Sequence, residues 1–218
     1  MSYYYRKFTI PFVFFFLALP AFSAQAAQNT ENAAAKLERA IFNFHQIEPG
    51  IYRSGRLHAD TYPYLKQLGI KTAVNFIDHK RESLEEKEGL ASFGIDTVWI
   101  PWNGFDYPKD QDVEKFLSVM RDPARRPILI HCKRGAERTG IMTACWRVAE
   151  KGWSADQAFD EMKRNRFRAF WYGHLKKYLY DFAKRYGQKA EDSNNIWEKA
   201  KTNFLYGVYR LRKLNPFN

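Results

Sequence analysis

The chain is 218 residues long, which is room for one domain of ordinary size with terminal extras but not for two independent ones. Its formal charge of +11 gathers at one end: residues 161–218 hold 14 Lys/Arg against 5 Asp/Glu, and the middle of the chain is neutral on balance. Two cysteines, Cys132 and Cys145, are too few for a disulfide-stapled scaffold.

In chain order, Arg6 and Lys7 precede an apolar run from Phe8 to Phe22 that gives way to Ser23-Ala-Gln-Ala-Ala27. This is the layout of a secretory signal peptide, with Ala24-Gln25-Ala26 as the cleavage site. An uncleaved anchor is the competing reading, but the run falls short of the roughly 20 residues a spanning helix needs, and Pro11 and Pro20 interrupt it. Residues 1–26 are therefore expected to be a signal peptide and the mature protein to be exported, into the periplasm. Residues 27–43, polar and alanine-rich with one short helical possibility, read as a leader into the fold.

The domain proper is expected over 44–187, where the pattern alternates. A short strand at Gly50 to Arg53 is followed by a helix over Thr61 to Leu68, ended by Gly69, and a strand at Lys71 to Ile77. A charged helix over Ser83 to Phe93 closes at Gly94, and a strand at Thr97 to Ile100 is broken by Pro101. After an irregular loop comes a helix over Asp112 to Met120. Pro127-Ile-Leu-Ile-His131 then reads as a wholly apolar strand at the centre of a sheet. A helix from about Arg138 to Lys151 stops at Gly152, and Ser154-Ala-Asp-Gln157 is a capping box opening a helix through Asn165. Helices around His174 to Arg185 and Asn194 to Leu211 complete the reading, the second within a basic C-terminal extension over 188–218. Alternating strands and helices predict an α/β fold, a central and mainly parallel sheet flanked by helices.

The chemistry is carried by His131-Cys-Lys-Arg-Gly-Ala-Glu-Arg138-Thr139. A strand ending in Cys132, a glycine-containing turn and a helix opening near Arg138 bring backbone N–H groups and a helix N-terminus onto one anion. The same field stabilises a thiolate, which makes Cys132 a nucleophile. Arg138 offers a planar fork for two phosphate oxygens, and Gly135 lets the turn form without a Cβ in the way. The phosphate-binding set is Lys133, Arg134, Gly135, Ala136, Glu137, Arg138 and Thr139, with His131 as a supporting residue that fixes loop shape. The Thr139 hydroxyl is placed to donate to the sulfur. Cys145 falls two turns along the following helix, about 9 Å beyond Thr139, which is too far for a disulfide with Cys132. It is expected to be a buried helix residue. No metal-ligand cluster accompanies the cysteines, and neither metal nor cofactor is expected.

Cys132, five intervening residues, Arg138 and Thr139, with His131 before the cysteine, resemble the signature of the protein tyrosine phosphatase superfamily. Ile51-Tyr-Arg-Ser-Gly55, Gly152-Trp153-Ser154, Ala158 and Glu161-Met162 extend the likeness to bacterial dual-specificity phosphatases, including exported members of Gram-negative bacteria, over roughly residues 44–185. The resemblance implies two-step hydrolysis of phosphotyrosine or other phosphomonoesters through a phosphocysteine, with an aspartic acid on a mobile loop as proton donor. That loop is 102–112, and Asp106 is the chosen acid, with Asp110 and Asp112 as competitors that stand where helix caps stand. The resemblance also implies that Arg53 and Ser54 brace the phosphate loop, although Arg53 reads equally as a surface residue at a strand end.

The expected partner is a phosphorylated protein or a small phosphomonoester. The alternative is a lipid or inositol phosphate, since the loop opening is shared with inositol-pyrophosphate phosphatases. Lys133 and Arg134 favour anions, whereas Glu137 would repel additional phosphates. Asp78-His-Lys-Arg81 reads equally as pocket lining or as a solvated turn. Arg164 to Tyr172, basic and aromatic, reads as packing aromatics with solvated arginines and not as a nucleic-acid surface. The final helix, with Ile196, Ala200, Phe204, Val208 and Leu211 near one face, packs on the domain or rests weakly on an anionic membrane surface.

Overall fold

The computed structural model describes residues 18–185. The C-terminal extension and its expected helix, and most of the expected signal peptide, lie outside the described residues. Twelve principal elements follow in order: α1 (Ala18–Ala40), β1 (His45–Glu48), β2 (Ile51–Ser54), α2 (Tyr62–Gln67), β3 (Thr72–Asn75), α3 (Lys80–Ala91), β4 (Asp96–Trp99), α4 (Asp110–Arg121), β5 (Ile128–His131), α5 (Glu137–Lys151), α6 (Ala155–Arg164) and α7 (Gly173–Arg185). No helix among the described residues is long and apolar enough to cross a membrane.

The five strands form one sheet in the order β1-β2-β5-β3-β4. β5 is central and buried at every position, as its unbroken apolar run requires. It pairs parallel with β2 and with β3, and β3 pairs parallel with β4. Only β1 runs antiparallel, turning into β2 at Gly50 with an irregularity between Gln46 and Glu48. This strand escapes the sequence pattern because its four residues, three half-exposed and one exposed, lie at a sheet edge with no apolar alternation.

Successive strand residues face opposite layers. Ile51, Val74, Ile128 and Ile130 pack under α4, α5, α6 and α7 in the larger core. Ala73 and Leu129 pack under α1, α2 and α3 in the smaller one. α5 is buried almost all round from Glu137 to Val148, and it ends where Gly152 takes a left-handed conformation. The Ser154 capping box forms, with Gln157 N–H donating to Ser154 Oγ at 3.2 Å and Ser154 N–H donating to Gln157 Oε1 at 2.9 Å.

Two helices start earlier than the sequence reading. α3 opens at Lys80 and not Ser83, because the His79 ring accepts from the Glu82 N–H at 3.3 Å and caps it. α4 opens at Asp110 and not Asp112. The segment read as a polar leader is also more than that. α1 covers all but its last three residues, Leu37 and Ile41 are fully buried in the smaller core beside Leu65 and Leu129, and Ala33 is buried too.

The C-terminal ends of the three inner strands lie side by side, Ser54 and Asn75 both level with His131. In open α/β sheets this edge is where ligands bind, and the loop after β5 begins there.

If α1 belongs to the folded unit, Leu37→Ala empties a fully buried site and costs about 2–5 kcal/mol. Denaturant titration should show that loss as a lower midpoint with an unchanged slope. A variant as stable as the parent would mean that α1 merely leans on the domain.

Candidate active site

Between β5 and α5 the chain turns through Cys132 to Ala136. Cys132 is buried, Lys133 is exposed, and Arg134 and Arg138 are half-buried. Gly135 has φ +64, and a Cβ there would sit 2.4 Å from the Ser54 carbonyl group. The turn therefore needs glycine on both conformational and steric grounds. Its carbonyl accepts from Arg53 Nη2 at 2.6 Å and from Asn43 Nδ2 at 2.8 Å. Arg53 is fully buried. Burial pulls its pKa down to about 10, while the charges of Glu161 and Cys132 act to support it, so it remains a cation at neutral pH.

Arg56 N–H donates to the Lys133 carbonyl at 3.3 Å and ties the loop to the chain leaving β2. His131 points its Nε2 to within 3.0 Å of Glu86 Oε1 on α3, a pairing distance without hydrogen-bond alignment. The same carboxylate oxygen accepts from Asn75 Nδ2 at 2.7 Å. The ring thus belongs to a buried polar cluster at the sheet end, in keeping with a supporting place. The Thr139 hydroxyl is buried in the first turn of α5 with no protein partner among the described residues.

Arg138 is held by three acceptors on one nitrogen. Its Nη1 donates to the Phe76 carbonyl at 2.8 Å, the Asp78 carboxylate at 2.9 Å and the Trp102 carbonyl at 3.0 Å. Asp78, itself exposed, therefore pairs with Arg138, while Lys80 opens α3. The loop 102–112 comes over the same side chain, since a Cβ on Gly104 would lie 3.3 Å from Arg138 Cγ.

Asp106 sits on that loop, half-buried, with its N–H donating to the Asn103 carbonyl at 2.8 Å. Asp110 is engaged elsewhere: its Oδ1 accepts from Tyr178 at 2.7 Å and from Arg185 Nη2 at 2.9 Å, both on α7. Asp112 lies in the first turn of α4. Cys145 is fully buried, and burial pushes its thiol well above the usual range, which leaves it inert.

The basic aromatic segment after α6 reaches the loop. Arg168 Nε donates to Glu137 Oε1 at 2.7 Å and its Nη2 donates to the Tyr172 hydroxyl at 3.0 Å. Glu137 is buried, so its charge is neutralised where it stands. The sequence pattern predicts a solvated arginine at Arg168, and the structure pairs it with Glu137 instead. The clue to its role was Glu137 itself, a carboxylate inside an anion-binding loop that needs a cation beside it.

The family model described as "DSP-PTPase phosphatase fused to NAD+ Kinase" matches residues 27–177. The dual specificity protein phosphatase TpbA of Pseudomonas aeruginosa is 30% identical over 154 residues, 70% of this chain and 68% of that protein. Inositol diphosphatase DSP3 of Arabidopsis thaliana is 33% identical over 129 residues, 56% of this chain and 62% of that one. The catalytic core of the PP-IP phosphatase SIW14 from S. cerevisiae superposes with a TM-score of 0.54 at 28% identity, over 75% of this chain and 93% of that one. A putative phosphatase from Shewanella putrefaciens shares the fold, with a TM-score of 0.58 at 22% identity over 69% and 94% of the two chains.

Gly135→Ala would force a Cβ into the Ser54 carbonyl group. The variant should lose at least about 3 kcal/mol of stability, or lose the loop shape at an intact fold, by analogy with other left-handed and overpacked sites. Thermal melting and equilibrium binding of tungstate, measured together, distinguish these outcomes. Wild-type values in both would contradict the geometry.

Proposed function

This chain belongs to the dual-specificity-type protein tyrosine phosphatase family, and on that premise we propose that it hydrolyses phosphotyrosine or other phosphomonoesters through a phosphocysteine on Cys132. The observation that carries the proposal is the convergence on one loop of Cys132, the N-terminus of α5 and Arg138, with Arg138 fixed by carbonyls from two neighbouring strand ends.

In the first step the Cys132 sulfur attacks phosphorus as the bond to the leaving oxygen breaks. Arg138 and the loop amides hold the other three oxygens while their charge redistributes. Asp106 gives its proton to the leaving oxygen. In the second step water attacks the phosphocysteine, Asp106 takes a proton from that water, and the S–P bond breaks. The Thr139 hydroxyl then donates to the departing thiolate. Asp106 is preferred over Asp110 because Asp110 is already bound to Tyr178 and Arg185.

Export to the periplasm is part of the proposal and rests on the order of residues 1–26. The basic stretch 188–218 supports at most a weak association with anionic membrane surface.

A second reading, hydrolysis of an inositol polyphosphate, is favoured by a specific contact. Arg168 cancels the Glu137 charge that would otherwise repel further phosphates, and the likeness to the yeast and plant enzymes points the same way.

Cys132→Ser should abolish turnover of an aryl phosphate, by about 10⁴-fold or more given what an activated nucleophile contributes, while tungstate binding persists. Residual turnover within tenfold of wild type would end the covalent mechanism. Arg168→Gln separates the substrate readings: a polyphosphate enzyme should lose about tenfold or more in kcat/KM on an inositol pyrophosphate relative to a phosphotyrosine peptide. A tyrosine phosphatase should lose equally on both.

A further inference from the structure

The turn between α6 and α7 splits its aromatic side chains into two kinds. Phe167 and Tyr172 are buried, whereas Phe170 and Trp171 are 49% and 58% exposed and meet edge-on with ring centroids 5.0 Å apart. A third ring, Phe42 at the α1–β1 joint, is 48% exposed and carries the Arg166 guanidinium 4.8 Å above it. Packing accounts for the first pair and leaves the exposed rings without a use inside the domain. Exposed rings that gather with charge of one sign mark an interaction surface.

The charge here is of one sign. Residues 162–180 include Lys163, Arg164, Arg166, Arg168, Lys176 and Lys177, and no Asp or Glu. Three of the six are matched by carboxylates, Lys163 by Asp160, Lys177 by Asp181 and Arg168 by Glu137. Arg164 and Arg166 are exposed and make no ion pair among the described residues. The surface also borders the phosphate loop. Arg168 holds Glu137 of that loop, and Asn43, next to Phe42, donates to the Gly135 and Asn165 carbonyls.

A layer of anionic lipid headgroups satisfies both features at once. Its phosphates attract the unmatched arginines, and indole and phenyl rings lie favourably at the boundary between headgroups and acyl chains.

We propose that the turn between α6 and α7, together with Phe42, is a docking surface for an anionic bilayer: Phe170 and Trp171 enter the headgroup layer while Arg164 and Arg166 meet the lipid phosphates. The surface is distinct from the basic stretch 188–218, and it requires neither a particular substrate nor the assignment of the general acid. Docked by this turn, the domain holds its phosphate loop beside the headgroups.

The test reads Trp171 itself, in the full-length chain, on vesicles of phosphatidylglycerol and phosphatidylcholine with bromine on the acyl chains, which quenches a tryptophan only at close approach. Trp171→Phe should remove most of the lipid-dependent quenching. Trp197→Phe, in the basic extension, should leave most of it in place. Arg164→Gln with Arg166→Gln should weaken binding to these vesicles about twentyfold, at roughly fivefold for each cation removed, with little change on pure phosphatidylcholine. Quenching in Trp171→Phe equal to that of the wild-type chain, or quenching lost in Trp197→Phe instead, would place another part of the chain at the bilayer and overturn the proposal. So would an arginine double variant that binds vesicles as the wild-type chain does but loses affinity for an acidic phosphopeptide, since the turn would then grip protein and not lipid.

Discussion

Everything in the site hangs on one carbonyl, that of Gly135, and on the buried guanidinium that grips it. Arg53 and Asn43 both donate to this oxygen, at 2.6 and 2.8 Å. A carbonyl oxygen committed to two donors in this way has its partial negative charge compensated, which lessens its repulsion of an anion held by the loop amides. Gly135 then needs its left-handed conformation, and the absence of a side chain lets it sit against Ser54. The arrangement is expensive. Burial draws the Arg53 pKa down to about 10 even with the support of the nearby Glu161 and Cys132 charges, a net penalty of roughly 3 kcal/mol at neutral pH. A surface arginine would avoid that cost and would not hold the loop, so the fold carries an ionised group in its core for the sake of the site.

The other half of the arrangement is electrostatic and comes from the C-terminal third. The basic excess counted in the sequence is not spread evenly over solvent. Arg168 is spent on Glu137, and Arg185 on Asp110. Farther from the site, Arg147 of α5 is buried between Glu161 of α6 and Glu48 of β1, with its guanidinium stacked on Trp153. That knot fastens the antiparallel edge strand to the helix that begins in the phosphate loop. Removing Arg147 would leave the buried Glu161 carboxylate without its cation, which is why such clusters act as units.

The fold and the phosphate loop were legible in the sequence for a shared reason: both depend on local pattern. Ile128-Leu-Ile runs apolar because β5 is covered on both faces, and Ser154 with Gln157 spells a cap within four residues. Cys132 and Arg138 are likewise fixed by spacing along one turn. The supports were not legible, because each is a contact between residues far apart in the chain. Asn43 reaches Gly135 across 92 positions and Arg138 reaches Phe76 across 62. Nothing near Asn43 distinguishes it from any polar residue before a strand. Arg168 was visible as a basic residue among aromatics, but its ion pair with Glu137 depends on how the turn after α6 folds back. Read within its loop alone, Glu137 is an uncompensated charge; the fold sets a cation beside it.

The α1–β1 joint joins these two lessons. Asn43, at φ 59, takes a conformation unusual for a residue with a side chain, and its amide bridges the Gly135 and Asn165 carbonyls. Phe42, next to it, accepts from the Gly55 N–H at 2.7 Å. The helix that precedes the joint is therefore mechanically continuous with the phosphate loop. Its buried face, Ala33, Leu37 and Ile41, fixes where Asn43 emerges. Removal of residues 1–26 would leave that face whole, since each of its residues lies beyond the cut. A cut ten or more residues later would take Ala33 and begin to free the joint, and with it one of the two bonds that hold the Gly135 carbonyl down.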